Sequence, residues 1–246
     1  MELAAATWTE LEPEEEGAGG NLLILPLGAT EQHGPHLPVD TDSVIAAALA
    51  SRAAERIEGA VVAPTLPYGA SGEHQAFPGT LSIGQAALEL LLLELCRSAS
   101  ARFHRVLLLS AHGGNSEPLA TAVARLRSEW HEVIPWSPRW GGDAHAGRTE
   151  TSLMLALDPV RVRLERAIAG NPAPLSELLP ELRSGGVRAV APNGVLGDPA
   201  GATAEEGREL LKEALDELVM AVAAWTSGVA FPRIARQLSG VHGVEG

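Results

Sequence analysis

Residues 22–50 constrain the chain most. Residues 22–27, Leu-Leu-Ile-Leu-Pro-Leu, form a short apolar run that reads as a buried strand. It enters Gly28-Ala-Thr-Glu-Gln-His-Gly-Pro-His-Leu-Pro-Val-Asp-Thr-Asp42, a loop stiffened by prolines and crowded with Glu31, His33, His36, Asp40 and Asp42. Residues 43–50 then read as a helix with Asp42 near its N-terminus. The layout recurs downstream. Residues 105–110 read as a strand, Ala111-His-Gly-Gly-Asn-Ser116 as a glycine turn, and 117–130 as a helix with Pro118 in its first turn. Alternating strands and helices predict an α/β protein with a mostly parallel sheet. In such sheets the loops at the carboxyl ends of the strands meet at one edge, where ligands bind.

The other elements expected are a helix over 42–58, a strand over 60–66 and a short strand at 81–83. A largely buried helix over 85–101, a strand over 132–136 and a helix from 153 follow. Thr149 or Thr151 would cap that helix, with Glu150 in or beside its first turn. Residues 67–80 form a long glycine-rich loop with Glu73 and His74. Residues 187–202 read as an ordered loop, and 203–226 as a last helix with Leu210, Leu211, Ala214, Leu218 and Val222 as its buried stripe. One domain over 1–228 is expected, opening with an acidic lead-in over 1–20, with a partly disordered tail over 229–246.

Charge and composition remove whole classes of function. A net charge of −13 leaves no basic footprint for nucleic acid or an anionic membrane surface. The most apolar stretch, 88–95, is interrupted by Glu89 and Glu94, so no membrane span is expected. The single cysteine, Cys96, allows no internal disulfide and lies in an apolar helix, where it reads as core. With no signal-peptide pattern at the N-terminus, the expectation is a cytoplasmic protein. The only lysine, Lys212, sits beside Glu213 in the last helix and makes Schiff-base chemistry a poor fit. No Gly-x-Ser-x-Gly elbow occurs.

Five histidines, 33, 36, 74, 112 and 145, fall in loops after strands or in glycine-rich connections. Each has a plainer reading: a loop histidine, or a helix-capping carboxylate for Asp42 and Glu150. The Gly113-Gly114 turn could cradle a phosphate, but no lysine or third glycine supports it. Taken together, Glu31, His33, Asp42, His112 and Glu150 exceed one tetrahedral zinc site and suit two divalent cations sharing a carboxylate. An unligated histidine nearby would shuttle protons.

These motifs resemble the creatininase (creatinine amidohydrolase) family. The resemblance rests on Gly28-Ala-Thr-Glu-Gln-His-Gly-Pro-His-Leu-Pro38, Phe77-Pro-Gly-Thr-Leu81, His112-Gly-Gly-Asn115 and Gly197-Asp-Pro199, in order, and covers roughly residues 7–227. It implies a single-domain, three-layer α/β/α fold with a mostly parallel central sheet. It also implies that Glu31, Asp42 and His112 hold one metal and His33 with Asp42 the other. Creatininase carries Tyr-Glu directly after the histidine matching His112, and that glutamate binds metal; here the pair is Gly113-Gly114, and Glu150 is the candidate replacement. His145 matches the catalytic histidine, with Ala144 where creatininase has a glutamate. Glu31 and His145 are thus the expected catalytic residues.

Residues 140–152, Trp-Gly-Gly-Asp-Ala-His-Ala-Gly-Arg-Thr-Glu-Thr-Ser, resemble a peptidase branch of the family that removes a C-terminal Val-Tyr dipeptide from a modified precursor peptide. The implied activity is amide hydrolysis by metal-activated water, with two divalent ions per chain, Zn²⁺, Fe²⁺ or Mn²⁺. The substrate would be a peptide held by His36, His74, Asn115, Trp140 and Arg148, the last as a partner for the terminal carboxylate. A creatinine-like cyclic amide or a formamide is the alternative substrate, and a non-catalytic metal-binding subunit the alternative class. The resemblance further implies a homo-oligomer, a hexamer built as a trimer of dimers.

Overall fold

A computed structural model describes residues 1–12 and 22–228. Residues 13–20 of the acidic lead-in and the whole 229–246 tail lie outside the described residues. The elements are β1 (Leu22–Leu27), α1 (Thr41–Arg56), β2 (Ala60–Val62), α2 (Gln85–Ala99), β3 (Arg105–Ser110), α3 (Ser116–Ser128), β4 (Val133–Trp136), α4 (Arg148–Leu157), α5 (Leu175–Gly185), α6 (Val187–Val190) and α7 (Ala204–Thr226).

The four strands form one sheet in the order β2-β1-β3-β4, parallel throughout. β1 and β3 pair over their full length, from Leu22 against Arg105 to Leu27 against Ser110. Every residue of β1 is buried, as expected for a central strand covered on both faces. Alternate side chains serve opposite cores. Leu22, Ile24, Leu107 and Leu109 face α1, α4 and α7, whereas Leu23, Leu25, Val106 and Leu108 face α2 and α3. This is the three-layer arrangement, and each fully buried leucine adds roughly 1.5–3 kcal/mol over an exposed one.

Several sequence expectations change. β2 stops at Val62 because Pro64 has no N–H to donate; only an isolated bridge, Leu27 to Leu66, continues the pairing. Residues 81–83 are not a strand; Leu81 and Ile83 donate to the carbonyls of Thr30 and Gly69 across the loops. α2 is not largely buried. Its core stripe is Leu88, Leu92, Leu93 and Cys96, while Leu90 and Leu95 face outward. α4 begins five residues earlier than the apolar run suggests and is entered through Gly147, with no threonine cap. Residues 187–190 are helical, so the 187–202 segment is only partly loop. α7 begins as expected, with Thr203 Oγ1 accepting the Glu206 N–H at 3.2 Å. Among the described residues, no helix is long and apolar enough to cross a membrane.

Candidate active site

All four strands end at the same edge, and each of the loops that follow delivers a polar side chain. The loop after β1 carries Glu31 and His33 and runs into α1, whose first turn holds Asp42. The loop after β2 brings His74, the loop after β3 His112, and the loop after β4 His145, with Glu150 in the first turn of α4. Glu31, His33 and Asp42 are at most 2% exposed, and His74, His112 and His145 are also buried.

Asp42 is the centre. Its Oδ1 lies 3.3 Å from His33 Nε2, and its Oδ2 lies 3.3 Å from His112 Nδ1. Glu31 Oε2 is 3.2 Å from His112 Nε2, and Oε1 is 3.3 Å from His74 Nε2 and 3.8 Å from His145 Nδ1. Glu150 Oε2 is 3.8 Å from His33 Nε2 and accepts the Ala146 N–H at 2.6 Å. The donor atoms fall into sets lying within 4.8 Å of one another: Glu31, Asp42 and His112; His33, Asp42 and Glu150; and Glu31, His33 and His145. Both Glu31 oxygens and Asp42 Oδ2 are buried with no hydrogen-bond partner. Buried carboxylate oxygens cost free energy unless paired. A divalent cation is the partner this donor chemistry fits.

The electrostatics agree. Burial pushes the Glu31 carboxyl up to about 7. Burial opposes charge on His33 and His112, but Asp42 beside His33 and Glu31 beside His112 outweigh it and hold both near 10. Burial, reinforced by the positive His33, lowers His74 to about 3 and His145 well below its ordinary value. Two histidines therefore sit with the carboxylates as a charged set, and two stay neutral.

The remaining expected residues lie as follows. His36 is buried, and its Nε2 is 2.8 Å from Thr151 Oγ1. That hydroxyl donates to the Gly147 carbonyl, so His36 donates to it and keeps Nδ1 bare. Asn115 is a brace. Its Oδ1 accepts the Ala70 N–H at 2.9 Å, and its Nδ2 donates to the Gly28 carbonyl at 3.1 Å and Ser110 Oγ at 3.3 Å. It is fully buried, and its amide is committed to two loops and the end of β3. Trp140 is partly buried and packs against the core that the sheet shares with α1, α4 and α7. Arg148 turns to α7, its Nε donating to both oxygens of Glu206 at 2.9–3.0 Å.

Residues absent from the expected set also touch the site. Gln32 contacts His74 and His145. Ser71 Oγ lies 3.4 Å from His112 Nε2. Glu73, one-third exposed, brings Oε1 to 3.8 Å from His112 Nε2. A side chain at Gly114 would strike Glu73 Oε1 and the Ala70 carbonyl, which accounts for the second of the two glycines after His112. The sequence showed Gln32 between two expected ligands, but an amide there signals no chemistry of its own.

A parallel α/β sheet whose strand ends gather histidines around bare buried carboxylates defines a protein of the cation-binding hydrolase type. More particularly, residues 4–222 match the creatininase model, described as creatinine amidohydrolase, and the chain belongs to that family. A Mycobacterium ulcerans (strain Agy99) protein named mycofactocin precursor peptide peptidase is 52% identical over 216 residues, covering 84% of this chain and 86% of that one. Two solved creatininases, one described as a manganese form and one as a variant of Zn-Zn type, align with a TM-score of 0.75 at 30% identity, covering 90% of this chain and 96% of theirs.

Proposed function

We propose that this chain is a metal-dependent peptidase that removes a C-terminal Val-Tyr dipeptide from the modified mycofactocin precursor peptide. The observation that carries the reading is Asp42 reaching a different histidine with each oxygen, which makes it the carboxylate common to two of the three cation-sized donor sets. Glu31, Asp42 and His112 would hold one ion, and His33, Asp42 and Glu150 the other. Bound there, a divalent pair supplies Lewis acidity for the scissile carbonyl and acidifies a water. Zinc or manganese suits this donor set, as does iron.

The chain's own residues do the rest. His145, kept neutral by burial, takes the water's proton and delivers it to the leaving nitrogen. His74 Nε2 flanks Glu31 Oε1 at 3.3 Å. The cluster is walled by α4 and the loops, and Glu73 and Glu150 are the carboxylates with side-chain exposure, 33% and 15%, which marks the side from which a peptide end would enter. The half-identical mycobacterial relative supports a peptide over creatinine, as does Gly114 where creatininase has its glutamate. The exposed Leu90 and Leu95 of α2 suit a homo-oligomer, a hexamer by family resemblance, and a cytoplasmic location fits the single buried cysteine.

The test is mass spectrometry of the protein loaded in turn with Zn²⁺, Mn²⁺ or Fe²⁺ and incubated with a synthetic peptide ending in Gly-Val-Tyr, with creatinine and a formamide in parallel. Release of Val-Tyr, abolished by a chelator, is expected. Hydrolysis of creatinine or the formamide alone would replace the substrate. No turnover of any of them would favour a non-catalytic metal-binding subunit.

A further inference from the structure

Gln32 lies between two proposed ligands, is buried, and has no part in the chemistry proposed above for the cluster. Its amide orientation follows from its neighbours. The Gly34 backbone N–H can only donate, and it lies 2.9 Å from Oε1. The Gly194 carbonyl can only accept, and it lies 3.1 Å from Nε2. The oxygen and nitrogen of this amide are thus fixed by main-chain groups that have no choice of role.

The histidine tautomers follow from that amide. Gln32 Nε2 has two hydrogens, one used by Gly194. His74 Nδ1, at 2.9 Å, takes the other and must be a bare acceptor. His74, neutral, then carries its hydrogen on Nε2, which faces Glu31 Oε1 at 3.3 Å. His145 Nε2 lies 2.8 Å from the Gln32 backbone carbonyl, another obligate acceptor, so Nε2 carries the hydrogen of His145. A bare Nε2 would set two lone pairs against each other at that distance. The 3.2 Å approach of His145 Nε2 to the Gln32 amide nitrogen is accordingly a contact between two donors. His145 Nδ1 is left bare, and it is the atom that faces Glu31 Oε1 at 3.8 Å. The arrangement is built in: Gly194 has φ 79°, and any side chain there would strike the Gln32 amide.

We propose that Gln32 is the positioning residue of this site: its side-chain amide holds His74 with a bare Nδ1 and its hydrogen on Nε2, on the side of Glu31, and its backbone carbonyl makes His145 an Nε2–H tautomer whose bare Nδ1 is the proton acceptor. This rests on the peptidase reading for the role of His145. The proton lost by the attacking water goes to His145 Nδ1 and from there to the leaving nitrogen as the C–N bond breaks, so the histidine ends neutral. His74 thereby faces Glu31 Oε1, 3.3 Å away, with a hydrogen and not a lone pair, an attraction in place of a repulsion. Partners of this kind, one shell out from a metal ligand, typically change metal affinity or activity by about 10–100-fold when removed.

The test compares the parent with Gln32→Glu, which still accepts from Gly34 but cannot donate to His74. In ¹⁵N-histidine-labelled protein, metal-free and zinc-loaded, imidazole nitrogen shifts should report bare Nδ1 and protonated Nε2 for both His74 and His145 in the parent. In Gln32→Glu, His74 should change to Nδ1–H while His145 keeps Nε2–H, and turnover of the Gly-Val-Tyr peptide should fall at least tenfold in kcat with little change in KM. Gln32→Met, which donates nothing, should lose turnover too, and Gln32→Asn should not restore it. A parent spectrum with Nδ1–H on either histidine, or Gln32→Glu at parental turnover, overturns the proposal. Because the parent spectrum needs neither variant nor substrate, a protein that shows these tautomers yet leaves the peptide intact would refute the peptidase reading and keep Gln32's effect on the tautomers.

Discussion

Asn115 separates a brace from a substrate contact most cleanly. Asn115→Ala removes an amide that is fully buried and ties two loops to the end of β3: it accepts from Ala70 and donates to Gly28 and Ser110. Ser110 Oγ keeps its bond to the His112 carbonyl, so two main-chain groups, the Ala70 N–H and the Gly28 C=O, lose this partner. Each such buried orphan costs about 1–3 kcal/mol, so the loss is about 4 kcal/mol. For a domain of this size that corresponds to a fall of roughly 8–16 °C in Tm. The assay is thermal unfolding followed by circular dichroism on chelator-treated parent and variant, so that metal does not mask the difference. Water entering the space would reduce the effect to the lower end. A fall under about 1 kcal/mol would refute the brace. A raised KM at parental stability would return Asn115 to the substrate.

Other outcomes follow from the same geometry. Glu31→Ala should lower bound zinc from two ions per chain to one and abolish turnover, measured by elemental analysis and peptide assay; two tightly bound ions would contradict the ligand assignment. Arg148→Ala should leave KM for free-acid and amidated peptides within about twofold of parent and cost no more than about 1 kcal/mol, because its half-exposed pair with Glu206 is solvent-screened; a rise in KM confined to the free acid would restore Arg148 as the carboxylate anchor. In the metal-free protein, burial opposes charge on His33 and His112, yet Asp42 and Glu31 hold both protonated to about 10, whereas the unfolded chain releases these protons near 6.5. The stability they confer is full below about 6.5 and lost as pH rises towards about 10, so urea midpoints under chelation should fall across that window; a rise would contradict the charge pattern. Metal loading should release those protons, which calorimetry in buffers of different ionisation enthalpy reads directly.

Much of this was legible in the sequence. The apolar runs at 22–27 and 105–110 gave two strands at their observed bounds, because a central parallel strand buried on both faces has no polar alternation to confuse. The gathering of Glu31, His33, Asp42, His112 and Glu150 could be anticipated because strand ends in such a sheet share an edge. What failed depended on partners distant in the chain. α2 looks buried from its leucines, but no layer covers Leu90 or Leu95 among the described residues. Asn115 looks like a ligand-facing polar group after a glycine turn until Gly28 and Ala70 are seen to claim it. Arg148 looks free until α7 brings Glu206 beside it. Gln32 could not be read at all, since its effect exists only through the carbonyl of Gly194 and the rings of His74 and His145.

The central claim is that Asp42 is shared by two cations. It is tested most directly by anomalous diffraction at the zinc edge on crystals of the zinc-loaded protein. Two peaks per chain are predicted, one among Glu31, Asp42 and His112 and one among His33, Asp42 and Glu150, with Asp42 contacting both. A single peak, or a pair that leaves Asp42 on one ion only, would contradict it.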